Sequence, residues 1–286
     1  MRNLKVIMSY RGTNYHGFQI QNNAHTVQAE VEKALEKILN QKVSVNGCSR
    51  TDAGVHANEY CFSVMTDSRI NELGFVRGMN GQLPDDISIL SCEEVPEDFH
   101  ARFSCKAKEY VYKIHNSESK NPFAADLEYH YRRKFNEQLV RSASEFFKGT
   151  HDFRSFCSEA KDKSNTIRTI YDFDIEINGN SIKMIVKGDG FLYNMVRIMV
   201  GTLLSVNEGL IKIDELPDIM AAGERRFAGK QLRLTDFISI RCFIRTWRTE
   251  CQTISIINVQ ERKNVKKQRE KALSETRSYL FWQQSL

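Results

Sequence analysis

Gly47-Cys48-Ser49-Arg50-Thr51-Asp52-Ala53-Gly54-Val55-His56-Ala57 is the stretch on which the reading of this chain turns. Between Arg50 and His56 it sets a guanidinium, a hydroxyl, a carboxylate and an imidazole, with little apolar content of its own. Apolar residues flank it, around Val43 to Val45 on one side and from Tyr60 to Met65 on the other, so it reads as a loop between two strands. A carboxylate in such a loop can attack an electrophilic carbon covalently. An arginine two positions away can hold it ionised while its other donors reach a phosphate or a base edge. The competing reading is a plain turn in which Thr51 or Asp52 satisfies backbone amides.

Upstream, Leu4, Val6, Met8 and Tyr10 alternate as in a strand and run into the turn-rich Arg11-Gly12-Thr13-Asn14-Tyr15-His16-Gly17. Thr26 is placed to cap a helix whose apolar stripe is Val27, Val31, Ala34, Leu35 and Ile38. Downstream, a helix near Asn71 to Asn80, a turn at Leu83-Pro84-Asp85-Asp86 and a strand near Ile87 to Leu90 complete one α+β unit. A second unit follows with the same alphabet. It has a strand through Tyr110, Tyr112 and Ile114 and a helix holding Leu139, Val140, Ala143, Phe146 and Phe147. A hairpin around Asn178-Gly179-Asn180-Ser181 and a helix from about Phe191 to Val206 complete it. Two such halves with hairpins predict an α+β fold with antiparallel or mixed sheets.

The 286 residues are 41% apolar, enough for a sizeable core, and no stretch reaches the roughly 18 apolar residues of a membrane span. The charged start Met1-Arg2-Asn3-Leu4-Lys5 has no apolar segment behind it, so the expectation is an unprocessed cytoplasmic protein with no membrane partner. The seven cysteines are scattered without metal-ligand spacing, and His100, His115 and His151 stand apart, which predicts reduced thiols and no metal. The net charge is +5, but its surplus lies after residue 230, where eleven Lys and Arg face five Asp and Glu. Any RNA affinity of the nearly neutral body therefore depends on where its basic residues sit.

The run Arg50-Thr51-Asp52-Ala53-Gly54-Val55-His56-Ala57 resembles, residue for residue, the signature of the TruA-type tRNA pseudouridine synthases. Further matches follow in that family's order: Gly17-Phe18-Gln19, Thr26-Val27-Gln28, Leu83-Pro84, Phe99-His100-Ala101-Arg102-Phe103-Ser104, Tyr110-Val111-Tyr112, Arg168-Thr169-Ile170 and Met195-Val196-Arg197. The resemblance covers residues 4–230. It implies two similar α+β halves, 1–104 and 105–230, forming mainly antiparallel sheets around a central cleft. It also implies a cofactor-free, homodimeric isomerase that converts uridine to pseudouridine at positions 38 to 40 of the anticodon stem and loop of tRNA.

By the same resemblance Asp52 is the nucleophile, Tyr110 stacks on the target uracil and is a candidate proton acceptor, and Arg197 pairs with Asp52. Arg50 would hold the space left by the flipped uridine. Read from the residues alone, Tyr110 shares a strand face with Tyr112 and Ile114 and is a core aromatic. Arg197, off its helix's apolar stripe, is a solvated arginine, although Gly201 one turn away permits close backbone approach. Where that family commonly has Tyr-Asp-Gly this chain has Tyr10-Arg11-Gly12, a difference that bears on turn geometry or RNA affinity.

After Lys230 the resemblance stops. That family continues Thr-Ala-Pro and closes with a strand beside the active site, whereas this chain reads Gln231-Leu232-Arg233-Leu234-Thr235-Asp236-Phe237. Codons permitted for these seven residues spell Thr-Ala-Pro-Ala-His-Gly-Leu when read one base earlier. Residues 231–286 are therefore read as a basic, frameshifted tail. Arg233, Asp236, Arg241, Arg245 and Arg248 interrupt apolar alternation, which predicts no closing strand, an open sheet edge and a solvated charge run from Glu261 to Lys271. On that expectation the rival function is a catalytically impaired RNA-binding protein of the same fold. A generic Asp-dependent hydrolase has only the isolated carboxylate to recommend it.

Overall fold

The computed structural model describes residues 1–158, 165–232 and, as backbone alone, 238–244. In the first half, β1 (Arg2–Tyr10) leads through a loop into α1 (Val27–Leu39), then β2 (Asn46–Gly47), β3 (His56–Thr66), α2 (Glu72–Asn80) and β4 (Ile87–Val95). Thr26 caps α1, its hydroxyl accepting the Ala29 amide at 3.4 Å, and Asn71 caps α2 through the Gly74 amide at 2.7 Å. Val27, Val31, Ala34 and Leu35 of α1 and Phe75 and Met79 of α2 are buried with Val6, Met8, Phe62 and Ile89 in one core. Each side chain of this size contributes about 1.5–3 kcal/mol by leaving water.

The expected strand over Val43 to Val45 shrinks to Asn46–Gly47. Glu32 of α1 accepts the Val45 amide at 3.0 Å and the Ser44 hydroxyl at 3.1 Å, so it takes a donor that a ladder would have used. The strand after the Pro84 turn runs on to Val95, since β1 pairs with it from Tyr10 to Asn3.

The second half comprises β5 (Cys105–Asn116), β6 (Tyr129–Tyr131), α3 (Glu137–Ser144), β7 (Gly149–Asp152), β8 (Ile167–Asn178), β9 (Ser181–Gly188), α4 (Met195–Asn207) and α5 (Leu216–Ala222). Asn178 pairs with Ser181, so the β8–β9 hairpin turns on the two residues Gly179-Asn180. Tyr112, Ile114, Phe173, Met184 and Val186 of the sheet pack with Val140, Phe147, Ile198, Met199 and Leu203 in a second core. Tyr110 packs against both cores.

The halves contribute to one ten-stranded sheet whose main path runs β4-β1-β3-β10-β5-β9-β8-β7, with β2 paired to β3 and β6 to β5 beside it, and in which β10 is Ile238–Ile244. The strand β10 runs parallel to β3, with Ile240 opposite Ala57, and antiparallel to β5, with Ile240 opposite Tyr110. This overturns the expectation that nothing after residue 230 packs as a closing strand and that the sheet keeps an open edge there. Arg233, Asp236, Arg245 and Arg248 lie outside the strand. Inside Ile238–Ile244 only Arg241 is charged, Ile238, Ile240, Cys242 and Ile244 fall on alternate positions, and two long strands offer hydrogen-bonding edges on either side. The charge run Glu261 to Lys271 lies outside the described residues.

A proline cannot occupy a strand paired on both sides, because it removes a ladder donor and clashes with its neighbours. Ile240→Pro removes a ladder donor and leaves its acceptor unmet, which is expected to lower stability by about 1–3 kcal/mol. Denaturant unfolding of parent and variant measures this, and an unchanged midpoint would mean that β10 is not part of the sheet.

Candidate active site

The loop between β2 and β3 is held from beneath by aromatic side chains and from the side by the turn after β1. The Cys48 amide donates to the Cys61 carbonyl at 2.9 Å, the Tyr60 hydroxyl donates to the Ser49 carbonyl, and the Tyr10 and Thr51 hydroxyls share a hydrogen bond of 3.0 Å. On the other flank the Phe18 amide donates to the Thr51 carbonyl at 3.4 Å and the Gly54 amide to the Tyr15 carbonyl at 3.1 Å. Gly17, with φ +89°, makes this contact possible, since a Cβ there would lie 2.3 Å from the Thr51 oxygen. Asp52 therefore sits on a loop whose backbone is fixed at Thr51 before it and at Gly54 after it.

His56 belongs to the scaffold of this loop. It is buried, its Nδ1 accepts the Gly12 amide at 3.2 Å, and its pKa is lowered to about 4 by burial and then by the charges of Arg11 and Lys113. Arg11, the residue that departs from the family pattern at the first turn, is thus one reason why this imidazole is neutral. Tyr15 is likewise structural. Its hydroxyl donates to Asp86 at 2.5 Å, and burial followed by that carboxylate raises its pKa.

Three elements converge on a cavity of about 310 Å³. The loop supplies Ser49, Arg50, Asp52 and Val55, β5 supplies Lys108 and Tyr110, and the turn into α4 supplies Phe191 to Arg197. All four residues singled out from the sequence, Asp52, Arg50, Tyr110 and Arg197, line this one space. The cavities of about 470 and 810 Å³ lie elsewhere, against Leu216 to Gly223 and Lys134 to Arg141, so size alone would not have found it.

The two readings of Tyr110 meet on one strand face. Tyr112 and Ile114 are fully buried, while Tyr110, at the cavity end, is half-buried with the Phe191 ring edge-on at 4.8 Å. The solvated reading of Arg197 is wrong, since its side chain is only 5% exposed. Its guanidinium donates to the Asn194 side-chain oxygen at 2.5 Å and to the Leu232 carbonyl. The helix is not amphipathic in place, because residues 229–232 cross it at Gly201 and Thr202. Gly201 permits that crossing, as a Cβ there would lie 1.8 Å from the Lys230 oxygen. Gln231 joins the same network, accepting from Ser158, which accepts from Asn194. The first two residues after Lys230 are thus part of the frame around Arg197.

Helix α4 starts at Met195 rather than Phe191, because Asn194 sits in the left-handed region at φ +60° and frees Phe191 to Asn194 to line the cavity. Lys108 and Phe191 are lining residues that the sequence reading passed over. Lys108 was findable, two positions from Tyr110 on the same strand face; Phe191 carried no signal beyond its place before an expected helix.

The profile of the tRNA pseudouridine synthase family matches residues 6–104 and 143–243. The tRNA pseudouridine synthase A of Ruminiclostridium cellulolyticum is 45% identical over 231 residues, 80% of this chain and 94% of that protein. The proteins of the same name from Acetivibrio thermocellus and Clostridium acetobutylicum are 44% and 45% identical over 230 residues, with the same coverage. Among solved structures, a crystal structure of a Cbf5-Nop10-Gar1 complex aligns over 82% of this chain and 57% of that one. Its identity is 10% and its TM-score 0.33, a likeness too slight to carry an argument.

Burial of a neutral His56 gives a pH dependence with a fixed sign. Between its ordinary pKa near 6.5 and its folded value of about 4 the unfolded chain binds the proton and the folded chain does not, so stability falls as pH drops through that window. His56→Asn keeps an acceptor for the Gly12 amide and removes the titration. The expected result is a shallower loss of melting temperature between pH 7 and pH 4.5 than in the parent, and parallel curves would contradict it.

Proposed function

We propose that this chain, which belongs to the tRNA pseudouridine synthase family, performs its isomerisation with Asp52 as the nucleophile and the cavity around it as the uridine site. The chain is an isomerase that converts uridine in tRNA to pseudouridine. What supports the assignment of residues is a single observation: a loop, a strand and a helix turn bring Asp52, Tyr110, Arg197 and Arg50 around one cavity.

The chemistry asks for what these groups offer. The N1–C1′ bond breaks, a C5–C1′ bond forms, C5 gives up its proton and N1 ends with one, so atoms and electrons balance within the substrate. The Asp52 carboxylate attacks C1′ of the ribose or C6 of the base and is released unchanged at the end. The buried guanidinium of Arg197 favours the ionised carboxylate in a site closed by a bound base. Tyr110, held by Phe191, offers a ring face to the uracil and a hydroxyl toward the departing C5 proton. Arg50, exposed at the mouth, fills the position that the flipped uridine leaves.

The target uridines are proposed to be positions 38 to 40 of the anticodon arm, modified in the cytoplasm by a homodimer. The positions and the homodimer follow from the family resemblance in the sequence. The alternative of an impaired RNA-binding protein rested on a missing closing strand, and β10 fills that place between β3 and β5. The division into 1–104, 105–230 and a frameshifted 231–286 is retained as a proposal about the gene. The order of bases around codon 230 decides it, an uninterrupted natural frame being the result that removes it.

Asp52→Asn keeps the volume and most polar contacts of the side chain while removing the nucleophile. Tritium release from tRNA labelled at uracil C5 is expected to fall below about one per cent of the parent, with tRNA affinity within a few-fold. Turnover above that level would remove Asp52 from the role. Tyr110→Phe keeps the ring and loses the hydroxyl, and Tyr110→Leu loses both. A proton acceptor predicts that both variants are slow. Near-normal turnover by the Phe variant alone would make Tyr110 a stacking surface only.

A further inference from the structure

A second, smaller hollow of about 200 Å³ lies beside the Asp52 cavity, and Ser49 and Arg50 line both. Its walls include Phe103, His100, Arg102, Gln19 and Asn46, and no carboxylate is among the residues lining it. Phe103 is 75% exposed, an unusual place for a large apolar ring, and the His100 ring lies 4.4 Å from it at 42°.

This platform is built rigidly although it stands on a loop. Asn3 of β1 is buried and donates to the carbonyls of Phe99 at 2.8 Å, Pro96 at 3.2 Å and Glu97 at 3.3 Å. The Ala101 amide donates to the Ser63 hydroxyl at 3.3 Å, and Ala101 itself is fully buried. His100 Nδ1 accepts the Arg102 amide at 3.2 Å, which fixes the imidazole beside Phe103. An aromatic held out toward solvent by buried polar bonds, next to two guanidiniums and the side-chain amides of Gln19, Gln28 and Asn46, has the chemistry of a nucleotide platform: a ring to stack on, cations for phosphate and amides for a base edge.

We propose that this hollow binds an unpaired nucleotide of the same tRNA strand that presents the target uridine, its base stacked on Phe103 and its phosphate on Arg102. The inference rests on the reading of the Asp52 cavity as the uridine site. Arg50 is the wall between the two spaces, so a strand that places one base beside Asp52 leads its neighbour across Arg50 to Phe103. Stacking on Phe103 keeps that neighbour out of the helix while the uridine is turned over. Phe103 is then a substrate-positioning residue.

The test compares the full chain with Phe103→Ala, Phe103→Leu and Phe103→Trp at one fixed salt concentration, measuring Kd and KM for tRNA, kcat by tritium release, and melting temperature. Ala and Leu are each expected to raise Kd and KM about ten-fold, with kcat within about two-fold and melting unchanged, as stacking losses of this kind run. Trp is expected to stay near the parent, with its fluorescence quenched by tRNA beyond the quenching seen in the parent. Parent-like Kd in the Ala variant would overturn the proposal, as would equal rescue by Leu and Trp or a fall in melting temperature that accounts for the weaker binding. The two readings fail separately. Normal tritium release with an indifferent Phe103 removes this hollow and leaves Asp52 in place, whereas the Kd pattern in a chain that releases no tritium leaves the hollow and removes the Asp52 reading.

Discussion

The carbonyl oxygen of Thr51 lies where a side chain on Gly17 would begin, and the position of Asp52 depends on that contact. Backbone meets backbone there, and two main-chain hydrogen bonds, Phe18 to Thr51 and Gly54 to Tyr15, tie the turn after β1 to the loop before β3. Tyr10, Tyr60 and His56 then hold the same loop from within the first core. A carboxylate meant to attack carbon must be presented at a fixed distance and angle, and a short polar loop has no core of its own to do that.

The second wall is made by the same device. Lys230 crosses α4 at Gly201, and the carbonyl two residues later accepts from Arg197. Burying a guanidinium is costly unless its donors are met, so the strap over α4 is a condition for a cation inside the cavity and not an appendage to it. Arg225 reinforces the strap by donating to the Ala228 and Gly229 carbonyls at 3.2 and 3.0 Å. Between the two walls β10 closes the sheet, so the residues after 230 frame the site on the helix side and join the halves on the strand side.

Legibility along the chain follows the range of the forces involved. The cap at Thr26, the apolar stripe of α1 and the hairpin around Gly179-Asn180 are local effects, and the sequence shows them. Val43 to Val45 was misread because the group that satisfies its donors, Glu32, comes from a helix, not from a neighbouring strand. Arg197 was misread because an all-round buried helix has no polar side for an arginine to occupy. Its partner Leu232 is 35 residues away and carries nothing in its own identity to announce the bond. The closing strand was missed because a seven-residue window of alternation is weak by itself and becomes a strand only when two paired edges wait for it.

The sequence by itself determined the family: the eight-residue run Arg50 to Ala57, set among ordered satellites, resembles the tRNA pseudouridine synthase signature, and that resemblance, more than the spacing of one carboxylate, singles out Asp52 as the proposed nucleophile. It also determined the α+β alphabet, which rests on local periodicity. Only the tertiary structure decided that Arg50, Tyr110 and Arg197 share one cavity with Asp52, that His56 stays neutral as a brace, and that Phe103 stands exposed beside Arg50. Burial, charge state and convergence are properties of what surrounds a side chain, and those surroundings come from parts of the chain far away along it.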